Sequence, residues 1–302
     1  MDNGLSPVGG AAIETRGLGK RYGRLRALDD LSLRVEAGEV FGFLGPNGAG
    51  KTTTVRLLLG LLAPTIGSAS VFGHETSQSD AIWRREIGYL PGELSFWPSL
   101  TGERTLEFLG RLTGRGATWR HDLLERLQLS RDDLVRRVGT YSDGMKQKLG
   151  IVQAFQCEPR LVLLDEPTKG LDPLIQLAFY ELLIDVNRRG TTIFFSSHVL
   201  PEVERVCHRV AMLRAGTLVT VGDVDQLRRS MPRRVVVLFS EDVNAADFAT
   251  VGHVVSSTER RVELMVAADR VPALVNQLAA LPLLDLSIEP PRLEDAFLER
   301  YR

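Results

Sequence analysis

The sequence predicts an α/β domain followed by a smaller α+β module. Between residues 13 and 229, short apolar or β-branched runs alternate with longer stretches of helical periodicity. This alternation is typical of a parallel sheet with covering helices. After Ser230 and Pro232 a second pattern of shorter runs begins. The length of 302 residues also suits two domains, at roughly 150 residues each.

The composition indicates a globular protein. The chain carries 37 basic and 38 acidic residues, a net charge of -1 and 44% hydrophobic residues. No basic tract supplies the clustered positive charge that nucleic acid requires, so we expect no nucleic-acid partner. Cys157 and Cys207 lack metal-ligand spacing and are expected to be buried thiols.

The chain is not expected to enter a membrane by itself. Its richest apolar stretch, residues 57–63, is broken by Gly60 and is far shorter than the roughly 20 residues of a spanning helix. Residues 1–12 are small and polar and lack the basic and apolar regions of a signal peptide. We expect them to form a flexible N-terminus.

The elements of the first domain follow from its pattern. Apolar runs at residues 40–44, 161–164 and 192–195 predict central strands covered on both faces. Helical periodicity dominates residues 79–155, which predicts a helical subdomain inserted between strands. Helices are predicted at residues 51–61, 103–112, 119–129, 143–155 and 173–189, and a further strand at residues 87–90.

Residues 233–302 are expected to form an accessory α+β domain of split β-α-β type. Leu293, Phe297 and Tyr301 share one face of its final helix, and packing against the domain's own sheet is favoured over binding of a partner. The predicted strands are residues 234–239, 251–256, 261–266 and 284–288, with helices at 271–280 and at the end of the chain.

Residues 45–52, here called the P-loop, match the phosphate-binding pattern GxxxxGK[ST] between a predicted strand and a predicted helix. Its glycines let successive N–H groups point at phosphate oxygens, and the helix adds its positive N-terminal end. Lys51 is expected to reach the β- and γ-phosphates, and Thr52 to ligate Mg²⁺. The expected nucleotide-binding residues here are Gly45, Pro46, Asn47, Gly48, Ala49, Gly50, Lys51, Thr52 and Thr53.

Two carboxylates, Asp165 and Glu166, end the apolar run at residues 161–164. A parallel strand would deliver them beside the P-loop. Such a pair is usually structural, but together with Lys51 and Thr52 it predicts a metal and water site. Asp165 would hold Mg²⁺ through water, and Glu166 would polarise the attacking water.

With these residues read together, the chain resembles the ATP-binding cassette (ABC) family, the ATPase subunits that power membrane transporters. The resemblance covers roughly residues 13–229. It implies a P-loop NTPase fold of the ABC ATPase type with an inserted helical subdomain. It also implies hydrolysis of ATP with the help of Mg²⁺.

Residues 141–147, here called the signature segment, resemble the family's second phosphate-binding motif. Ser142 and Gly144 match that motif and are implied to contact nucleotide, whereas Asp143 and Met145 replace its usual glycine and glutamine. In isolation, Ser142 and Asp143 indicate a helix N-cap.

Three further positions resemble family motifs. Asp172 lies in a segment similar to the D-loop, which communicates between two nucleotide sites. His198 resembles the switch histidine that contacts the γ-phosphate, and Tyr22 the aromatic residue that stacks on adenine. A lone histidine at a strand end, or an isolated tyrosine, is more often structural. The order of His198 in the series of motifs favours its functional role.

One position departs from the family pattern. Gly92 stands where a glutamine normally contacts Mg²⁺ and water, and Glu93 is a candidate substitute acting through water. The step that this replacement of glutamine by glycine would affect is the coupling of ATP hydrolysis to transport. Downstream, Phe96, Trp97 and Leu100 form an apolar cluster. It suits either a short helix of a membrane subunit or the subdomain's own core.

The resemblance implies a homodimer or heterodimer in which each nucleotide lies between the P-loop of one copy and the signature segment of the other. It implies separate transmembrane permease subunits and a peripheral location at the cytoplasmic face of the cell membrane. The segment LEDAFL, residues 293–298, is similar to the corresponding segment in the ATPases of bacterial exporters of drugs, antibiotics or other amphipathic compounds.

Two alternatives compete with a transporter subunit. A soluble ABC-type ATPase of translation or DNA maintenance is disfavoured by the single P-loop and the absence of a long coiled-coil insert. A nucleoside kinase would explain the P-loop but not the signature segment, Asp165, Glu166 and His198 in that order.

Overall fold

The computed structural model describes residues 10–78 and 82–289 of the chain. The chain divides into two compact units, Met1–Val221 and Gly222–Arg302. In the described ranges, no helix is both long enough and apolar enough to cross a membrane.

The elements before residue 224 are, in chain order, β1 (Ala11–Tyr22), β2 (Leu25–Glu36), β3 (Val40–Leu44), α1 (Lys51–Leu58), β4 (Ile66–Val71), β5 (His74–Glu75), β6 (Ile87–Leu90), α2 (Gly102–Thr113), α3 (Arg120–Arg126), α4 (Arg131–Val135), α5 (Asp143–Phe155), β7 (Leu161–Asp165), α6 (Pro173–Arg188), β8 (Thr192–Ser197), α7 (Leu200–Val206), β9 (Arg209–Arg214) and β10 (Thr217–Asp223).

The first unit is built on a six-stranded sheet of order β10-β9-β3-β8-β7-β6. Strand β3 pairs in parallel with β8 and β9, and β7 pairs in parallel with β6 and β8. Every residue of β3, β7 and β8 is buried, as expected of a parallel sheet covered on both faces. The three predicted central strands are therefore confirmed. Their carboxyl ends share one edge of the sheet, where ligands bind in open α/β folds.

An antiparallel sheet of order β2-β1-β4-β5 forms the second layer. Strand β1 begins at Ala11, and Ala12 is fully buried. The expectation of flexibility is therefore wrong for these two residues, because strand pairing and burial hold them. Residues 1–9 lie outside the described ranges. Tyr22 is the last residue of β1.

Backbone conformation and capping hydrogen bonds explain where α1 ends and where α2 begins. Helix α1 stops at Leu58, short of the predicted residue 61, because Gly60 adopts φ +63° and a Cβ there would lie 2.4 Å from the Thr76 carbonyl oxygen. Helix α2 starts after Thr101, whose side chain accepts from the Arg104 N–H. Residues 79–155 contain α2 to α5, but also β6, which belongs to the six-stranded sheet.

One apolar core packs the two sheets against α1. Phe43 of β3 and Phe194 of β8 lie at its centre, with ring centroids 5.1 Å apart. Cys157 and Cys207 are both free and buried, as expected. Burial raises the pKa of the Cys207 thiol well above its usual range.

The second unit contains a sheet of order β12-β13-β11-β14. Strands β13 and β14 both pair antiparallel with β11, so they run parallel to each other and form the predicted split β-α-β arrangement. Strand β12 begins two residues late, because Val251 and Gly252 still donate to the Phe248 carbonyl. The predicted final helix, with Leu293, Phe297 and Tyr301, lies outside the described residues. The elements are α8 (Val224–Ser230), β11 (Arg233–Phe239), β12 (His253–Thr258), β13 (Arg261–Val266), α9 (Val271–Leu278) and β14 (Leu283–Glu289).

Candidate functional site

The P-loop runs from the end of β3 into the first two residues of α1, Lys51 and Thr52. Its glycines are required by close approach and by backbone conformation. A Cβ on Gly45 would lie 2.5 Å from the Leu213 carbonyl oxygen, and one on Gly50 would lie 2.5 Å from that of Ala27. Gly50 also has φ +109°, which side chains disfavour. The loop can therefore hold this curve only with glycine at both positions.

The P-loop forms one wall of a cavity of about 530 Å³. A pocket of this size lies within the range of small-molecule sites. Thr53 lies on this wall, and Glu166 is also part of the lining. The lining residues are Tyr22, Leu25, Arg26, Ala27, Pro46, Asn47, Gly48, Ala49, Gly50, Lys51, Thr52, Thr53, Glu166 and Ala215.

Lys51 is buried and folded back over the P-loop. Its Nζ donates to the Gly45 carbonyl at 2.7 Å and to the Pro46 carbonyl at 3.4 Å. The same atom lies 3.2 Å from Glu166 Oε1. The cation is thus held inside the cavity wall, within reach of an anion placed over the loop.

Thr52 and Asp165 lie side by side where β7 ends. Thr52 Oγ1 donates to Asp165 Oδ2 at 2.7 Å, and Ser196 Oγ donates to Oδ1 at 3.0 Å. Asp165 is only 2% exposed, so both carboxylate oxygens are oriented by hydroxyl groups. Hydroxyl and carboxylate oxygens are the donors that Mg²⁺ prefers, so these residues fit such an ion.

Glu166 stands between two cationic or ionisable side chains. Its Oε2 lies 2.6 Å from Nδ1 of His198, while Oε1 faces Lys51. Its backbone has φ +53°, a left-handed conformation that costs a non-glycine residue about 1–3 kcal/mol. Its N–H donates to the Ser196 carbonyl at 3.0 Å, which ties the turn to β8. Strained backbone of this kind is concentrated at functional sites.

Tyr22 lines the same cavity as Lys51 and Glu166. Its side chain is 46% exposed, and Nζ of Lys20 lies 5.4 Å from the ring centroid. The neighbouring lining residues Leu25, Ala27 and Ala215 are apolar. A flat ring beside an apolar wall can stack on a base, and this role for Tyr22 stays a prediction.

The signature segment is placed elsewhere. Ser142 is the N-cap of α5 and accepts from the Met145 N–H at 3.2 Å. This is the capping role that Ser142 and Asp143 indicate when they are considered in isolation. A Cβ on Gly144 would lie 2.8 Å from the Gly170 carbonyl oxygen. Neither Ser142 nor Gly144 is among the described residues that line the P-loop cavity. Their contact with nucleotide stays a prediction.

Asp172 has a structural task in this chain. Its Oδ1 accepts from the N–H groups of Leu174 and Ile175, each at 3.1 Å, and so caps α6. Pro173 occupies the first helical position, where no N–H is needed. A nucleotide contact by Asp172 stays a prediction.

Gly92 lies directly beside Asp165. A Cβ at Gly92 would be 3.3 Å from the Asp165 carbonyl oxygen and 3.4 Å from its Oδ2. The main chain of residue 92 therefore approaches the carboxylate closely, without a side chain of its own. Glu93 next to it is exposed, and its role as a substitute stays a prediction.

Trp97 lies at the surface rather than in the subdomain's core. Its ring packs edge-on against Phe108 of α2, with centroids 5.2 Å apart and planes at 87°. Trp97, Phe108 and Leu112 are 49%, 45% and 61% exposed. We call these three residues the aromatic patch. The sequence pattern did not identify Phe108 and Leu112 as members, because they follow Trp97 by more than ten residues.

Ser196 was not recognised as a site residue in the sequence. It holds Asp165 from the neighbouring strand, and it is fully buried. A hydroxyl at the end of an apolar strand was a weak signal for this contact. Arg26, which lines the cavity and pairs with Asp29 at 2.9 Å, carried no sequence signal.

Comparison with known families matches both units. A family model described as ABC transporter covers residues 28–169, and one described as the C-terminal domain of EvrA-like ABC transporters covers residues 232–289. Over 95% of its length the chain is 34% identical to the daunorubicin resistance ATP-binding protein DrrA3 of Streptomyces coeruleorubidus, covering 95% of that protein. It is 30% identical, over 95% of its length, to 97% of the linearmycin resistance ATP-binding protein LnrL of Bacillus subtilis.

Solved structures show the same fold. An ATP-binding subunit of an ABC transporter is 32% identical, with a TM-score of 0.67 over 72% of this chain and 92% of that one. A dimeric post-hydrolysis state of the ATP-binding cassette MJ0796, bound to ADP and Pi, has a TM-score of 0.65 and 24% identity over 70% of this chain and 98% of that one. With its fold, its P-loop and relatives matched along nearly their whole length, the chain belongs to the ATP-binding subunits of ABC transporters.

Proposed function

We propose that this chain hydrolyses ATP with Mg²⁺ as a dimer, and that hydrolysis drives export of drugs, antibiotics or other amphipathic compounds through separate membrane permease subunits. One observation carries the proposal. Side chains from three distant segments of the sequence converge at one edge of the parallel sheet: Lys51, Thr52, Asp165, Glu166 and His198. Together they would supply a phosphate-binding cation, oxygen ligands and a base.

The resting contacts suggest how ATP binding prepares the base. Lys51 is held by Glu166 and by the Gly45 carbonyl. Phosphate oxygens over the P-loop would compete for Lys51, since a phosphate carries more negative charge than a carboxylate. Glu166 would then keep only its 2.6 Å contact with His198. A carboxylate released in this way can accept a proton from the attacking water.

Thr52 and Asp165 are the residues proposed to hold Mg²⁺. When bound there, Mg²⁺ neutralises the charge that develops on the phosphates. The protein's own contribution is orientation, because Ser196 and Thr52 fix the two oxygens of Asp165 before any ligand arrives. Gly92 lies beside Asp165 and contributes no side chain.

A second copy of the ATPase is proposed to complete each site. The signature segment does not line the P-loop cavity among the described residues, so its phosphate contacts require another chain. The dimeric state reported for MJ0796 with ADP and Pi supports this arrangement.

The aromatic patch is proposed as the contact for a permease subunit at the cytoplasmic face of the membrane. It is exposed and apolar, and aromatic anchors dominate the energetics of many interfaces. The resistance functions of the daunorubicin and linearmycin relatives support export as the direction.

Copurification from membranes tests this function. The tagged chain should retain a polytopic membrane protein encoded beside it. The double variant Trp97→Ala, Phe108→Ala should lose that protein but keep its ATPase activity. Val135→Ala is the matched control, because Val135 is an apolar residue of α4 with 65% exposure. Copurification with ribosomes, or with no membrane protein, would overturn the proposal in favour of a soluble ABC-type ATPase.

A further inference from the structure

Glu202, on α7, accepts hydrogen bonds from two segments, one next to Glu166 and one next to His198. Thr168 Oγ1 donates to its Oε1 at 2.6 Å, and Ser197 Oγ donates to its Oε2 at 2.9 Å. Thr168 follows Glu166 by two residues, and Ser197 directly precedes His198. Thr168 is 7% exposed and Ser197 is fully buried. One carboxylate therefore joins the segments that carry both candidate catalytic residues.

Tyr180 of α6 lies close enough to the same carboxylate to feel its charge. Burial raises the pKa of Tyr180 to about 12, with a further contribution from the negative charge of Glu202. The Arg205 guanidinium lies 5.2 Å from the Tyr180 ring centroid and places a positive charge near the cluster.

The contact with Ser197 determines the backbone around His198. Besides donating to Glu202, Ser197 Oγ accepts from the Val199 N–H at 2.9 Å. The hydroxyl thus spans His198 and fixes the turn on both sides of it. Because Ser197 donates its only hydroxyl proton to Glu202, the orientation of this turn depends on that carboxylate.

The contact with Thr168 acts on the turn that follows Glu166. The Lys169 N–H donates to the Glu166 carbonyl at 3.3 Å, and the Leu171 N–H donates to the Thr168 carbonyl at 3.1 Å. These bonds make residues 166–171 a compact turn, and Thr168 anchors it to α7. Movement of this anchor would be transmitted to Glu166, whose left-handed φ allows little adjustment.

We infer that Glu202 is a positioning residue for ATP hydrolysis: it holds the Thr168 and Ser197 segments together, and so fixes the contact between Glu166 and His198. This inference rests on the catalytic roles given to Glu166 and His198 in the proposed function. Glu202 touches neither of these side chains in its described contacts, and it acts through the two turns.

The test is Glu202→Gln, which keeps the size of the side chain but replaces one acceptor oxygen by a donor. We expect kcat for ATP to fall by about 10²-fold, the cost of a displacement of about 1 Å at a reacting group. KM and nucleotide binding should stay within about twofold, since Glu202 does not line the P-loop cavity. Glu181→Gln, the same change on the exposed face of α6, is the matched control.

The double variant with Glu166→Gln separates positioning from a structural role. If Glu202 acts through Glu166, adding Glu202→Gln to Glu166→Gln should lower kcat no further. Losses that add together, or a wild-type kcat for Glu202→Gln, would overturn the inference. If Glu202→Gln does not fold, Thr168→Val and Thr168→Ser replace it. The serine variant keeps the hydroxyl that donates to Glu202 and should have the higher kcat. Equal kcat values for the two variants would also overturn the inference.

The two proposals fail in distinguishable ways. Wild-type turnover in Glu166→Gln would show that Glu166 is not the base. It would reject both that part of the proposed function and the inference on Glu202. An inactive Glu166→Gln beside a fully active Glu202→Gln would leave the proposed function intact and reject only the positioning role.

Discussion

Glu166 shows how much of the proposed chemistry depends on one residue. It follows a buried strand, adopts a left-handed φ, and contacts Lys51 and His198 with its two oxygens. These contacts occupy both carboxylate oxygens. In the proposed reaction, loss of the Lys51 contact on nucleotide binding would leave Oε1 free to accept a proton from the attacking water.

Glu166→Gln should bind ATP normally but hydrolyse it about 10²- to 10⁴-fold more slowly, the usual contribution of a positioned general base. Single-turnover hydrolysis and equilibrium nucleotide binding, measured on the same preparation, would show this difference. Unchanged turnover would remove Glu166 from the role of base.

Lys51→Ala should weaken ATP binding by about 10- to 10²-fold, since it removes charge-assisted hydrogen bonds worth about 1.5–3 kcal/mol. Titration with a fluorescent ATP analogue measures this loss. Lys148→Ala, a lysine of α5 outside the cavity lining, provides the control. Equal affinity in the two variants would contradict the phosphate-binding role.

At the scale of elements, caps and close approaches explain where the site's segments begin. Ser142 caps α5 and Asp172 caps α6, so these two candidate nucleotide contacts already stabilise their helices. A loss of activity on substitution of either residue therefore requires a capping variant as a control.

In the second unit, a polar side chain also connects two elements. Glu263 of β13 accepts a hydrogen bond from Arg234 of β11.

Glu263 should make the stability of this sheet depend on pH. Its hydrogen bond from Arg234 lowers its pKa, so its contribution is present above its unfolded-state pKa. That contribution is lost as pH falls through the lower folded-state value. Glu263→Gln should destabilise β11 and β13 by about 1 kcal/mol at neutral pH, and the difference should vanish in acid.

Hydrogen exchange of β11 and β13 peptides, corrected for intrinsic rates at each pH, measures this effect. Glu259→Gln, an exposed acid in the same unit, should leave their exchange unchanged. A destabilisation by Glu263→Gln that persists at low pH would show that the carboxylate charge is not its cause.

At the scale of the whole molecule, the P-loop and the signature segment lie apart. The P-loop lines the cavity, whereas the signature segment caps a helix and is not among the described lining residues. If both segments contact the same nucleotide, as we propose, each site needs the signature segment of another copy. The proposed dimer would then be required for activity.

A mixture of Lys51→Ala and Ser142→Asp chains should hydrolyse ATP faster than either preparation alone. Aspartate also caps helices, but its charge would repel phosphate. In a mixed dimer both lesions fall in one site, and the other site is intact. Steady-state ATPase assays at saturating ATP measure recovery, and mixing two Ser142→Asp preparations gives the baseline. No recovery with confirmed dimers would contradict the shared site.

Local patterns predicted much of this architecture. The runs at residues 40–44, 87–90 and 261–266 became strands with the same bounds, and residues 143–155 became α5. The 12-residue strands β1 and β2 were missed, because their polar residues and register shifts hide the period of two. The P-loop was evident because its chemistry lies within eight consecutive residues.

The sequence by itself determined the parallel sheet and the phosphate-binding loop, since each depends on residues that are neighbours in the chain. It also determined the family, since the family's motifs follow one another in a fixed order along the chain. Only the tertiary structure decided which hydroxyls orient Asp165, how Glu202 links Thr168 to Ser197, and that Trp97 meets Phe108 at the surface. These contacts depend on the order of strands in the sheet, which brings together segments that no local pattern connects.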